Sequence, residues 1–222
     1  MELWLHQDHV YNMPRVVMQL IFLVPDLFIN PKLRSYFTVY TDCLVEKVTE
    51  EIGYEAVLSD ISYSIKSFEN VGFKVKFSGY SDKLLKFAQI FLELMVKVRD
   101  TGFEELTVKL AVEKAIKSHK NANVEVDQRT ANNRLIYLLE NVFHANLVVK
   151  ALESFDYDEF SNVYLKTQLL DQVHSFKLFL GGNVTPDDCL LALNVVTQSL
   201  QIEKICTKLG NQFEAKAHVR QI

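Results

Sequence analysis

Residues 59–80 read Ser59-Asp60-Ile61-Ser62-Tyr63-Ser64-Ile65-Lys66-Ser67-Phe68-Glu69-Asn70-Val71-Gly72-Phe73-Lys74-Val75-Lys76-Phe77-Ser78-Gly79-Tyr80, and their period is two. Ile61, Tyr63 and Ile65 alternate with Ser62, Ser64 and Lys66; beyond Glu69-Asn70-Val71-Gly72, the residues Phe73, Val75 and Phe77 alternate with Lys74, Lys76 and Ser78. Successive side chains of a strand point to opposite faces, so this spacing predicts a hairpin with one apolar and one wet face. An apolar sheet face has to be buried against something, and the flanking segments supply helices for that purpose.

Upstream, Arg15 to Val24 is nearly continuous apolar and β-branched sequence closed by Pro25, which predicts a short strand buried on both faces. Asn30-Pro31 then reads as a cap followed by proline at the first helical position. Leu33, Phe37, Tyr40, Leu44 and Val48 continue at helical spacing until Gly53 stops the helix. Downstream, Ser81-Asp82 caps a helix with the stripe Leu84, Phe87, Ala88, Phe91, Leu94, Met95 and Val98, ended by Gly102. Further helices are expected at Glu104 to about Lys117, Asp127–Val142, Ala145–Ser154 and Tyr157–Asp171, with a polar break from Ser118 to Val126. Phe176–Leu180 reads as a strand, Gly181-Gly182-Asn183 as a turn, and Thr185-Pro186-Asp187-Asp188 as the capped start of a last helix reaching about Gln201. The class is therefore α+β: an antiparallel sheet covered on one side by helices, in a single unit over residues 1–205. Residues 206–222 are a polar tail or the start of a linker.

The chain has 222 residues, 49% hydrophobic and 23% charged, enough to bury one sizeable core without disulfides or a structural metal. Net charge is −4 with no dense basic block, which argues against a nucleic-acid partner. No apolar run approaches the roughly 20 residues of a membrane helix. The first residues have no basic segment followed by an apolar one, so no signal peptide is expected. Cys43, Cys189 and Cys206 are odd in number and lie in apolar patterns without a C-x-x-C pair, which fits a reducing, cytoplasmic setting. The strand-like opening and polar close suggest a piece of something longer.

A search for chemistry finds no complete active site. The six histidines, His6, His9, His119, His144, His174 and His218, form neither H-E-x-x-H nor H-x-x-E-H. His6-Gln7-Asp8-His9 is the nearest cluster, but the wrong spacing makes it a solvated surface segment. No serine sits in G-x-S-x-G, and Cys189, although in the first turn of a helix, is followed by Leu190, Leu191 and Ala192 and reads as a buried structural thiol. Gly181-Gly182-Asn183 lacks the lysine of a phosphate loop, and Asn183-Val184-Thr185, formally a glycosylation site, reads as the helix cap. Glu46, Glu50, Glu51 and Glu55 with Lys47 form the wet side of a helix and its following loop. No catalytic, cofactor-binding or metal-binding residue is assigned.

Several segments, in order, resemble the zinc peptidases of the insulinase/pitrilysin type. They are Leu3-Trp4-Leu5-His6-Gln7-Asp8 with Met13-Pro14-Arg15; Phe22-Leu23-Val24-Pro25 with Asn30-Pro31; Tyr54-Glu55-Ala56 through Ile61-Ser62-Tyr63-Ser64-Ile65; Phe77-Ser78-Gly79-Tyr80-Ser81-Asp82-Lys83; and Leu180-Gly181-Gly182-Asn183-Val184-Thr185. The resemblance implies the third, non-catalytic domain of a four-domain metalloendopeptidase, one that helps enclose peptide substrates in a chamber and packs against other domains of the same polypeptide. Zinc is then expected in the parent enzyme's catalytic domain, since nothing here matches its motif. The family's paired Arg and Tyr seven residues apart cannot be carried over either: none of Arg15, Arg34, Arg99, Arg129 and Arg134 has a Tyr at that spacing. The exposed hairpin, with edge residues Phe68 and Val71, is an alternative contact surface for another domain, and the alternative to the whole reading is a free-standing interaction or scaffold protein of the same fold.

Overall fold

A computed structural model describes residues 2–11, 13–68, 71–122, 143–170, 173, 175–201 and 219–221. The hairpin lies where its period places it, as β3 (Ser62–Phe68) and β4 (Gly72–Tyr80), preceded by β1 (Glu2–Gln7) and β2 (Arg15–Leu23) and followed by β5 (Ser175–Gly182) and β6 (Val219–Gln221). The sheet order is β3-β4-β2-β5-β1-β6. Its first four strands are antiparallel neighbours, as expected, whereas β1 joins β5 in parallel and β6 joins β1 in parallel. The mixed edge has a simple origin: β1 and β2 run in opposite directions across the loop 8–14, and β5 slots between them antiparallel to β2. Backbone bonds at that end fasten the insertion, Asp8 N–H donating to Gly182 O (2.8 Å) and Asn183 N–H to Arg15 O (3.1 Å). Gly182 sits at φ 117°, and a Cβ there would lie 2.2 Å from Arg15 O, so only glycine lets the two strands approach.

α1 (Asp26–Ile29) leads into α2 (Pro31–Leu58), where Asn30 accepts from Lys32 N–H (2.9 Å) as the sequence predicts. Gly53 does not end this helix. Ile52 and Ala56 continue its buried stripe, and that packing outweighs the roughly 1 kcal/mol a helical glycine costs. The chain instead leaves at Asp60, whose φ is 51°. α3 (Ser81–Thr101) starts without the expected side-chain cap, and Gly102 closes it by donating to Val98 O (2.8 Å). α4 (Glu105–Ala122) runs through the first part of the expected polar break: His119 is half-buried there, Ser118 and Asn121 face water, and Lys120 reaches Glu153 (3.0 Å). The helix expected at Asp127–Val142 lies outside the described residues.

α5 (Ala145–Glu153) starts where expected and ends one residue early, with Ser154 as its C-cap. Tyr157–Asp171 divides into α6 (Tyr157–Glu159) and a π-helix (Phe160–Gln168), whose wider winding shows in Leu169 N–H donating to Tyr164 O (3.1 Å). α7 (Pro186–Ser199) opens with the predicted capping box: Thr185 Oγ1 accepts from Asp188 N–H (3.2 Å), and Asp188 accepts from Thr185 N–H (2.8 Å).

The helices cover one face of the sheet. That face presents Leu3 and Leu5, Val16, Met18, Leu20 and Phe22, Phe73, Val75 and Phe77, and Phe176, Leu178 and Leu180, all buried. Phe22 stacks on Phe73 (4.7 Å), and Phe77 meets Phe91 of α3 edge-on (5.1 Å). The expectation that β2 is buried on both faces is corrected: Val17, Gln19, Ile21 and Leu23 alternate with its buried residues and are only half-buried. Their shelter comes from neighbouring side chains of the same sheet, with no described helix above them.

Candidate functional site

The face of the sheet that no described helix covers gathers side chains that are far apart in sequence. Strand registers align Lys66, Lys74, Ile21, Lys177 and Glu2 in one cross-strand row, and Ser64, Lys76, Gln19, Phe179 and Trp4 in the next. A third row runs Ser62, Ser78, Val17, Gly181 and His6. Trp4, Val17, Ile21 and Phe179 are half-buried and make an apolar centre; Lys66 and Lys76 are exposed beside it. The three rows hold four lysines and one carboxylate, so this face is basic on a chain of net charge −4.

Lys177 Nζ lies 3.2 Å from Glu2 Oε2, and Trp4 Nε1 donates to the same oxygen (3.3 Å). The Lys177 bond, then the Trp4 bond, hold the Glu2 carboxyl below its ordinary pKa. Lys66 and Lys74 are opposed across β3 and β4 as like charges, an arrangement that disfavours the pair unless an anion or water separates them. At the rim Arg15 stacks 5.3 Å above the Tyr80 ring and bonds to Asp60. The pleated surface thus sets amines, an indole and an amide around a half-buried apolar centre.

A second concavity of 370 Å³ lies between the N-termini of α3 and α7, lined by Val16, Met18, Leu180, Asp82, Thr185 and Asp188 among others. Asp188 and Thr185 are spent on the capping box there.

The residues weighed from sequence do not converge. His6 lies exposed on β1 and His9 in the loop after it. Asp8 accepts from the N–H groups of Tyr11 (3.0 Å) and Val10 (2.9 Å); these bonds hold its carboxyl below its ordinary pKa and make it a turn former. Cys43 is buried, and burial, with Glu46 and Asp42 nearby, pushes its thiol up to about 12, so it is inert at neutral pH. Cys189 is likewise buried, and burial, with Asp188 beside it, raises its thiol.

Gly181-Gly182-Asn183 is the end of a strand and the turn into a helix. Thr185 serves as that helix's cap. Glu46, Glu50, Glu51 and Glu55 are exposed, with Lys47 near Glu50 (3.4 Å) and Glu51 (3.7 Å). Val71 N–H donates to Phe68 O (3.0 Å) and closes the hairpin. His174, Cys206 and His218 lie outside the described residues. Among the described residues no group of three or more His, Cys, Asp and Glu side chains is placed to hold a metal. His119 lies on α4, where burial and then the Arg34 charge hold its pKa down, and His144 accepts from Asn146 N–H (3.2 Å) to cap α5. These histidines do not fit a zinc site.

Sequence reasoning missed the basic, apolar-centred face. Its signals were present, namely lysines alternating along β4 and apolar residues on both sides of β2, but the register that lines them up with Trp4 and Phe179 comes only from the fold.

Comparison with known proteins accounts for this architecture. The structure of pitrilysin superposes with a TM-score of 0.76 at 18% identity over 90% of this chain and 20% of that chain. A conserved protein from Enterococcus faecalis V583 superposes with a TM-score of 0.63 at 17% identity, over 86% of this chain and 49% of the other. The periplasmic protease PqqL from Escherichia coli gives 0.59 at 15% identity, over 78% and 20%. At these identities the likeness is one of fold. The chain spans about a fifth of the length of pitrilysin and PqqL and about half that of the E. faecalis protein. Comparison with curated protein sequences finds no match. No helix among the described residues is long and apolar enough to cross a membrane. Residues 1–151 match the family described as the middle or third domain of peptidase_M16, and the chain belongs to that family.

Proposed function

We propose that this chain works as a non-catalytic domain of an insulinase-like zinc metalloendopeptidase, its open sheet face forming part of the wall of a closed chamber in which peptides are cut. The observation that carries the reading is the one-sided sheet of an M16 middle domain, with Trp4, Ile21 and Phe179 set among Lys66, Lys74, Lys76 and Lys177 on the uncovered face. Such a face supplies position rather than bond chemistry: it holds an extended peptide and limits its motions, and other domains of the polypeptide provide the reacting groups. Zinc belongs to those domains. The domain unit proposed is residues 1–205, with 206–222 a polar tail or the start of a linker; the parallel pairing of Val219–Gln221 with β1 carries the sheet past that boundary. Buried thiols at Cys43 and Cys189 suit a reducing cytoplasm.

The test is purification of the 222-residue chain, followed by mass spectrometry of peptides incubated with it and metal analysis of the protein. Intact peptides and substoichiometric zinc are expected. Chelator-sensitive cleavage that survives purification would overturn the reading.

A further inference from the structure

β3 stands last in the sheet order, and its one strand partner among the described residues is β4. In an antiparallel strand every second residue turns its N–H and C=O away from its partner, so one edge of Ser62–Phe68 offers a row of unpaired backbone donors and acceptors. Beside the start of this edge lies a groove of 380 Å³, between the end of α2 and the first turns of α3, lined by Leu58, Ile61, Phe87, Ile90, Lys83 and Lys86, with Glu55 and Ser59 at its rim. Ile61, the residue immediately before β3, lines the groove, so a segment laid along the edge runs on into it. Tyr54, Val57 and Leu58, in the last turns of α2, are each more than two-thirds exposed. That is a concentration of apolar surface that isolated surface residues do not produce.

Charge identifies the occupant. Lys83 and Lys86 line the groove against the single carboxylate of Glu55, and Lys66 is exposed on β3 itself. A lysine on an edge strand is a common device against sheet-to-sheet aggregation, and Lys66 alone would be explained that way. Lys83 and Lys86 are on α3, off the strand, where they block no pairing; they make the groove basic on a chain whose net charge is −4. Two copies meeting edge to edge would bring these lysines together, which disfavours a second copy as the occupant.

We propose that the free edge of β3 and the adjoining groove dock an extended acidic peptide substrate, which adds to the sheet as a further strand and seats an apolar side chain against Leu58, Phe87 and Ile90. Main-chain bonds supply sequence-independent affinity, while the groove and its lysines supply selection. The assignment to substrate rests on the peptidase reading above.

The test uses a fluorescein-labelled synthetic peptide alternating threonine and valine, with a central leucine flanked by glutamates, titrated into the 222-residue chain by fluorescence anisotropy. Binding is expected, with the lysine counterpart roughly tenfold weaker and the preference reversed by the Lys83→Glu/Lys86→Glu variant. Copies of the peptide N-methylated on the odd or the even amides need no protein variant. Strand addition uses the amides of every second residue, so one of the two copies should lose binding. No binding, equal binding by both methylated copies, or an unchanged preference in the charge-reversed variant overturns the proposal, as does a chain that sediments as a dimer and binds no peptide. Where the chain is embedded in a longer polypeptide, binding by the chain and not by that polypeptide overturns the substrate assignment in favour of a segment of its own sequence. Mass spectrometry of the recovered peptide keeps the two readings apart, since cleavage would overturn the non-catalytic role while anisotropy reports docking separately.

Discussion

The two faces of the sheet are built from the same strands and differ in what covers them. Along β2 the helix-covered residues Val16, Met18, Leu20 and Phe22 are buried, and their immediate neighbours Val17, Gln19, Ile21 and Leu23 are half-exposed. On β4 the neighbours are Lys74, Lys76 and Ser78, as one-sided burial demands; on β2 and β5 they include Ile21 and Phe179, residues a merely wetted face does not need. The difference teaches that a face that no described helix covers can still carry apolar side chains at its centre.

The largest expected effect tests whether the faces differ in solution. Leu20→Ala removes a fully buried side chain between Val75 and Leu178 and should cost about 2–5 kcal/mol of unfolding free energy; Ile21→Ala, one residue on and on the open face, should cost less than about 1.5 kcal/mol. Urea unfolding of both variants decides it. Equal losses would show that the open face is covered in the free chain and would break the comparison. A second pair sharpens it at the sheet's end. Gly182→Ala forces a Cβ to within 2.2 Å of Arg15 O at a φ of 117° and should cost about 1–3 kcal/mol. Gly181→Ala places its Cβ on the open face, 2.9 Å from the Phe179 ring, which has room to swing toward solvent, so its loss should be under about 1 kcal/mol by the same measurement.

How much of this was readable beforehand follows the range of the interactions. The hairpin, the Asn30 and Thr185 caps and the inward stripes of α2 and α3 rest on contacts within a few residues, and the sequence states them directly. Gly53 and the polar residues after Lys117 misled because helix ends depend on packing against distant elements, here the continued burial of Ile52 and Ala56, and the half-burial of His119 with the Lys120–Glu153 pair. The parallel pairing of β1 was invisible, because it depends on β5 entering from some 170 residues downstream. The same distance hid the candidate site. Lys177, Phe179 and Trp4 are unremarkable in their own segments and become a surface only in register. The family resemblance was readable because it lies in ordered local segments, while the groove beside β3 required both helix ends to be placed.

The smallest effect probes how wet the open face is. Glu2 bonds to Lys177 and Trp4, and its pKa is lowered from 4.5, so the carboxylate is favoured in the folded state. A depressed carboxylate contributes stability that is present above its unfolded pKa and disappears as pH falls through the folded value. On a solvated face the pair is screened and should contribute less than about 1 kcal/mol, so Glu2→Gln is expected to shift the urea midpoint slightly at neutral pH. The difference from the parent chain should shrink below pH 4.5 and again in concentrated salt. Because screening requires water, a Glu2→Gln penalty that persists in salt would mean that the row from Lys66 to Glu2 is shielded by something resting on the sheet. Paired with a large Ile21→Ala loss, that result would show the open face occupied, and paired with a small one it would confine the cover to the β1 end.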